Sequence, residues 1–329
     1  MKYLALTVRE TDSGKFEKSI EERHLEELPD NEVLIRVHYA GLNYKDALSA
    51  SGHKGITRRY PHTPGVDAAG VVMSDRSATF AEGSRVICTS YDLGMNTPGG
   101  FAQYIRVPAA WVLPLPQDMG LYESMVMGTA AFTAGLALWK MERCGQHPGM
   151  GKIVVSGASG GVGSMALGVL SRAGYYPVAA TGKSELNDWL KLCGAQDIIR
   201  REEIDDTSGK PLLSSRWAGA IDNIGGNTLS TLLKGCTKEG CVASVGLVAS
   251  ADLNSSVYPF ILNGVNLLGV DSAECAMELR AKIWQKLAWE WKPVNLEAMG
   301  RKVKLEAIPQ LMEDMLRGQA RGRIVAEIV

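Results

Sequence analysis

The sequence contains no CxxC pair and no cluster of cysteines. Its six, Cys88, Cys144, Cys193, Cys236, Cys241 and Cys275, are scattered over 329 residues. That excludes a disulfide-stapled scaffold and points to buried thiols in a reduced, cytoplasmic protein. Histidine is scarce as well: His24, His38, His53, His62 and His147 are dispersed. Zinc needs three or four nitrogen or sulfur ligands converging on one point, so no metal is expected. No apolar stretch reads as long enough to span a bilayer. Met1–Glu10 has the pattern of a strand and lacks the apolar core of a signal peptide. The formal net charge is −1. With no basic stripe either, neither a nucleic acid nor a membrane is expected as partner.

What is present is the composition of a globular protein, 46% apolar and 22% charged, at a length that suits two domains. One stretch organises the rest. Ile153-Val154-Val155 reads as a buried parallel strand, Gly157-Ala158-Ser159-Gly160-Gly161-Val162-Gly163 as a turn, and Met165–Leu170 as an apolar helix. Strand, glycine turn and helix are the context of a dinucleotide fingerprint. Gly160 lets the backbone approach a pyrophosphate, and Gly163 lets helix and strand pack closely. Ala158 replaces the usual first glycine. The helix N-terminus offers N–H groups and a partial positive charge to the phosphates.

Before that stretch the chain is strand-rich. Glu32–Ala40, Ala69–Met73, Gly83–Cys88 and a glycine turn into a strand ending at Val107 are punctuated as in a small β-barrel. The texture changes near Leu121, and Ala130–Leu138 is an apolar helix. After the fingerprint, strands at Tyr176–Ala180, Ala218–Asn223, Gly240–Val245 and Val265–Val270 alternate with helices, which implies a doubly wound parallel sheet. A helix at Ile308–Leu316 and a strand at Arg323–Ile328 close the chain and are expected to return to the first domain. The expected boundaries are 1–122, 123–290 and 291–329.

The end of the second strand carries the cofactor signal. An NAD site places Asp or Glu there to hold the ribose 2′-hydroxyl. This chain has Thr181-Gly182-Lys183. A hydroxyl and an ammonium without a carboxylate suit a 2′-phosphate, so NADPH is expected over NADH.

Several segments together resemble one family. They are Leu42–Leu48, Pro64–Gly70, Gly128–Ala134, Gly157–Ser164, Trp217–Asp222, Pro259–Leu262 and Gly269–Ser272. The set resembles the zinc-free, quinone-oxidoreductase-like branch of the medium-chain dehydrogenase/reductases, within it the acryloyl-CoA reductase subfamily. The resemblance implies an α/β fold: a Rossmann domain with a doubly wound parallel sheet plus a GroES-like β-barrel catalytic domain. Where zinc members carry Gly-His-Glu, this chain has Gly65-Val66-Asp67.

The resemblance also implies site residues. Tyr44 would lie beside the nicotinamide, either orienting it and delivering a proton or merely packing there. Lys45 and Asp46 beside it would pair with one another. Ser159, Gly160, Gly161 and Val162 match the phosphate turn. Arg201 matches a second phosphate-side cation, with Arg200 able to swap roles. Leu247, Ile261 and Ser272 match contacts along the nicotinamide half. Arg323 matches a catalytic and cofactor-side arginine, with Arg321 as its near neighbour. Lys54, Arg58 and Arg59 would form either a docking patch for coenzyme A phosphates or a solvated loop. The implied activity is NADPH-dependent reduction of the carbon–carbon double bond of a short 2-enoyl-CoA, most simply acryloyl-CoA. A quinone or enone reductase and a non-enzymatic nucleotide-binding protein are the alternatives. The apolar strand Val265–Val270 could form a sheet edge, which would suit a homodimer.

Overall fold

The computed structural model describes all 329 residues and resolves into two compact units. One comprises Met1–Thr129, Ala273–Ala281 and Gly300–Val329; the other comprises Ala130–Ser272 and Lys282–Met299. The first division falls after Thr129 rather than after 122, the final return begins at Gly300 rather than at 291, and Ala273–Ala281 joins the first unit as an additional segment. The first shift has a local cause. The helical stretch Leu121–Arg143 is apolar throughout, but Gly128 inside it has φ 48° and ψ −155°, which breaks it in two.

The first unit begins with β1 (Lys2–Glu10) and β2 (Phe16–His24), an antiparallel pair. It continues through β3 (Val33–Leu42), α1 (Tyr44–Ala50), β4 (Asp67–Asp75), β5 (Arg85–Thr89), β6 (Tyr104–Val107), β7 (Val112–Pro114) and the start of α2 (Leu121–Arg143). β3 follows the two-residue period of a strand. Its Val33, Ile35 and Val37 pack with Val72, Val86 and Ile105 in one barrel core.

The second unit takes up the rest of α2. By length and composition α2 could cross a membrane, contrary to expectation, but most of its apolar run is buried inside the protein, which makes it a core helix. There follow β8 (Lys152–Val155), α3 (Gly161–Arg172), β9 (Tyr176–Thr181), α4 (Asn187–Leu192), β10 (Asp197–Arg200), β11 (Trp217–Asp222), α5 (Gly226–Lys234), β12 (Cys236–Ser244), α6 (Tyr258–Asn263) and β13 (Asn266–Gly269). These strands form one parallel sheet in the order β10-β9-β8-β11-β12-β13. The chain enters at the centre on β8, winds out to β10, returns to β11 and winds out to β13. That reversal between β8 and β11 is the topological switch point at which dinucleotide folds bind their ligand. Apart from the exposed Lys152 that opens β8, both central strands are buried, so Ile153–Val155 and Trp217–Ile221 read as apolar runs.

The tail contributes α7 (Met277–Ala288), α8 (Leu296–Met299), β14 (Gly300–Lys304), α9 (Ile308–Leu316) and β15 (Arg323–Glu327). β15 inserts between β14 and β3, so the tail does rejoin the first unit. α9 presents Ile308, Leu311, Met312 and Met315 at helical spacing, and they pack in the cluster that holds Ala47 and Ala50 of α1. Burying side chains such as Ile308 and Met312 contributes about 1.5–3 kcal/mol each, and this packing seats α1 against the barrel.

Candidate active site

In the first unit the site is built on a buried ion pair. Arg323 and Asp67 are 2% and 0% exposed, with Nη2 3.1 Å from Oδ2. Arg323 opens β15, and Asp67 opens β4. Both strands flank β3, so the pairing follows from strand order. Burial lowers the arginine's pKa, opposed first by the charge of Asp67 and then by that of Asp46. Arginine has five N–H donors, and each one here meets an acceptor. Nε donates to the Val126 carbonyl at 3.1 Å; Nη1 donates to the Leu42 carbonyl at 3.0 Å and to Asn43 Oδ1 at 2.9 Å. Nη2 donates to Asp67 and, at 3.5 Å, to the Met125 carbonyl. These donors lie within this unit, where they hold Asn43 and the backbone around it.

Asp67 gathers the remaining donors. Its Oδ2 accepts from Asn43 Nδ2 at 2.8 Å, and its Oδ1 accepts from Thr129 Oγ1 at 2.5 Å. The Thr129 N–H reaches both oxygens. Two glycines make room. A Cβ on Gly128 would lie 2.3 Å from Asp67 Oδ2, and one on Gly41 would lie 2.8 Å from Arg323 Nη2.

This platform carries Tyr44. Asn43 precedes it, held through both ends of its amide by Arg323 and Asp67. Asp46 follows two residues later, fully buried. Its Oδ2 accepts the Asn43 N–H at 2.8 Å, and its Oδ1 accepts those of Gly65 and Val66 at 3.1 and 2.9 Å. The expected Lys45–Asp46 pair does not form: Lys45 is exposed, and Asp46 points inward to backbone amides. Burial pushes the Asp46 carboxyl up to about 7, working against those three N–H groups. Tyr44 itself is 44% exposed. A mobile aromatic would be free to leave its position, whereas here the residue before it and the turn after it are both fixed.

The second unit holds most of the residues expected to contact the nucleotide. Gly163 lies under the turn as expected: a Cβ there would sit 2.3 Å from the Gly157 carbonyl oxygen and 2.7 Å from Ala158 Cα. Gly160 is the N-cap of α3, and the first ladder bond runs from Ser164 N–H to the Gly160 carbonyl. The N–H groups of Gly161, Val162 and Gly163 therefore have no acceptor within the helix, which is the standard anion-binding arrangement. Ser159 is nearly buried beside them. At the end of β9, Thr181 Oγ1 accepts the Lys183 N–H at 3.0 Å. The Arg201 side chain lies across Gly182, whose Cβ position is 3.0 Å from Arg201 Cδ. Thr181, Gly182, Lys183 and Arg201 are thus brought together. Arg201 also pairs with Glu202 at 3.1 Å, both side chains largely exposed, a contact that solvent keeps weak. Leu247 and Ile261 are exposed at 65% and 68%. The Ser272 hydroxyl accepts from Thr133 Oγ1 at 2.8 Å.

Comparison with known proteins decides the family. Residues 29–117 match the alcohol dehydrogenase GroES-like domain, and residues 161–289 match the zinc-binding dehydrogenase domain. The acrylyl-CoA reductase AcuI of Ruegeria pomeroyi is 39% identical over 97% of both chains. The putative quinone oxidoreductase YhfP of Bacillus subtilis is 43% identical over 92% of both.

The chain belongs to the zinc-free medium-chain dehydrogenase/reductases, in the acryloyl-CoA reductase subfamily.

Solved structures agree. The B. subtilis yhfP structure with NAD bound superposes with TM-score 0.97 at 41% identity, covering 99% of both chains. The yhdH oxidoreductase of Salmonella enterica in complex with NADP gives 0.96 at 36%, covering 100% of both. No group of three or more His, Cys, Asp or Glu is arranged to hold a metal ion. At the position of the zinc members' Gly-His-Glu, Asp67 already faces the Arg323 guanidinium.

The buried roles of Asp46 and Asp67, and the close approaches at Gly41 and Gly128, escaped the reading of the sequence. A signal was there for Asp67: a lone carboxylate in the apolar stretch Gly65-Val66-Asp67-Ala68-Ala69-Gly70 needs a buried partner. Nothing in the sequence named Arg323 as that partner.

Proposed function

We propose that this reductase uses NADPH to reduce the carbon–carbon double bond of a short 2-enoyl-CoA, acryloyl-CoA first. The observation that carries the reading is Tyr44, presented to solvent on a platform whose buried groups all serve to fix it, in a chain that matches AcuI over 97% of its length. The residues present fit a dinucleotide. The amides of Gly161 to Gly163 would take the pyrophosphate, with Ser159 beside them. Thr181, Gly182, Lys183 and Arg201 would take the 2′-phosphate, and Leu247, Ile261 and Ser272 would line the nicotinamide half. When bound, the reduced nicotinamide supplies a hydride to the β-carbon of the enoyl group. Negative charge then develops on the thioester oxygen, and donors placed there stabilise it. The α-carbon needs a proton, and the Tyr44 phenol is the donor we assign.

Arg58 and Arg59 are exposed, while Lys54 is occupied by Glu10 at 3.2 Å and by the faces of Phe16 and Tyr60. The two arginines are therefore the better candidates for the coenzyme A phosphates. A quinone or enone reductase is the second reading, favoured by the likeness to YhfP. Initial rates with NADPH and either acryloyl-CoA or a simple quinone separate the two. Saturable NADPH binding with no turnover of either acceptor would favour a non-enzymatic role. Tyr44→Phe tests the proton step: full turnover removes it.

We also propose a homodimer. β13 is the edge of the parallel sheet, and Val257, Tyr258 and Leu262 of the segment leading into it are exposed. A patch of that kind invites a partner, and light scattering giving a monomer mass would end the idea. Six free cysteines, with Cys144 exposed, suit a reducing, cytoplasmic location.

A further inference from the structure

Ser156 and Asp222 stand at the C-terminal ends of the two central strands, beside the switch point, yet neither is among the residues expected to touch the nucleotide. Both side chains are completely buried. Ser156 Oγ donates to Asp222 Oδ1 at 2.6 Å and accepts the Asn223 N–H at 2.8 Å. The Ser156 carbonyl accepts from Asn223 Nδ2 at 2.8 Å. Asp222 Oδ2 accepts the Gly225 N–H at 2.8 Å, and Oδ1 also accepts that of Ile224 at 3.3 Å. The Asp222 carbonyl accepts from Val245 at 2.8 Å and Gly246 at 3.2 Å.

Three turns therefore meet at one aspartate: the phosphate turn after β8, the Ile224–Gly225 turn after β11, and the turn after β12 that leads to Leu247. They meet without slack. A Cβ on Gly157 would lie 3.2 Å from Ile224 Cδ1, and one on Gly246 would lie 2.4 Å from the Asn223 carbonyl oxygen. Two apolar side chains could fill the same space. A buried carboxylate is tolerated only when its lone pairs are satisfied, and here every bond that satisfies it also fixes the direction of a turn.

We infer that Ser156 and Asp222 are positioning residues for dinucleotide binding: they set the phosphate turn and the Leu247 turn relative to each other, without touching the ligand. The inference rests on the reading that NADPH binds at these turns. Two controls separate the readings. If the unaltered protein shows no saturable NADPH binding in a fluorescence titration, that reading fails. If the unaltered protein binds and Ser156→Ala binds equally tightly, the inference fails alone.

Loss of a hydrogen bond to a charged group predicts a dissociation constant for NADPH about tenfold higher in Ser156→Ala. kcat at saturating NADPH and KM for the acceptor should stay within about twofold. Ser156→Thr keeps the hydroxyl and should recover most of the affinity. Asp222→Asn keeps the volume and should weaken binding in the same direction, which keeps the test decisive if Ser156→Ala does not fold. A general loss of folding stability with the dissociation constant unchanged, or equal losses for NADPH and acceptor, would overturn the inference.

Discussion

Asp67→Asn is the sharpest perturbation of the platform under Tyr44. It preserves shape while removing the charge that faces Arg323 across 3.1 Å, at 2% and 0% exposure. It also turns one acceptor oxygen into a donor among groups that already donate, namely Asn43 Nδ2, the Thr129 N–H and hydroxyl, and Arg323. Removing one partner of a buried pair destabilises by about 3–5 kcal/mol, because the other charge stays buried without compensation. For a unit of this size each kcal/mol moves the thermal midpoint by about 2–4 °C, so the expected fall is roughly 6–20 °C. Calorimetry reads it directly. Arg323→Met on the same background should restore part of the loss, since it removes the orphaned cation, but not all of it, since one amide oxygen cannot replace both acceptors that serve Asn43 and Thr129. A coupling of at least about 2 kcal/mol in this cycle is the expected outcome. A midpoint shift under about 2 °C for Asp67→Asn, or strictly additive single and double variants, would refute the reasoning.

Three further outcomes follow. Asp46 has its pKa raised from 3.8 to about 7 by burial, so the folded state holds an extra proton between those values. Its contribution to stability is complete below about pH 4 and falls as pH rises to about 7; urea unfolding at pH 5 and pH 8 should show a loss in the unaltered protein that is smaller in Asp46→Asn. Gly163→Ala places a Cβ 2.3 Å from the Gly157 carbonyl, so the phosphate turn must shift and NADPH affinity should fall by at least about tenfold, measured by titration, with acceptor KM less affected. Lys183→Ala should lower the preference for NADPH over NADH by about tenfold, since a charge-assisted bond to the 2′-phosphate is lost; an unchanged ratio of kcat/KM would count against the assignment.

Much of this architecture is legible because periodicity and glycine spacing act locally. The fingerprint turn, the alternating second unit and α9 each declare themselves within a dozen residues. β10 does not: Asp197-Ile198-Ile199-Arg200 is four residues long with charged ends, and only its pairing with β9 makes it a strand. β14 is hidden for a similar reason, since Gly300-Arg301-Lys302-Val303-Lys304 carries three cations and depends on β15 for its pairing. The Thr181–Lys183 segment stands out by residue type, while the approach of the Arg201 side chain to Gly182 shows only in the folded chain. The bracing of Arg323 by Val126, Leu42 and Asp67 comes from partners more than 190 residues away, a separation no local pattern reports.

The placement of β15 has a consequence for how the polypeptide matures. β3 and β4 are made well before β15, the strand between β14 and β3, and the guanidinium that neutralises Asp67 follows it by 256 residues. During synthesis, which proceeds at about 5–20 residues per second, Asp67 waits without its counter-charge and β3 keeps an open margin for more than ten seconds. The parallel sheet, whose six strands are all made well before β15, can consolidate in that interval and serve as the nascent chain's early anchor.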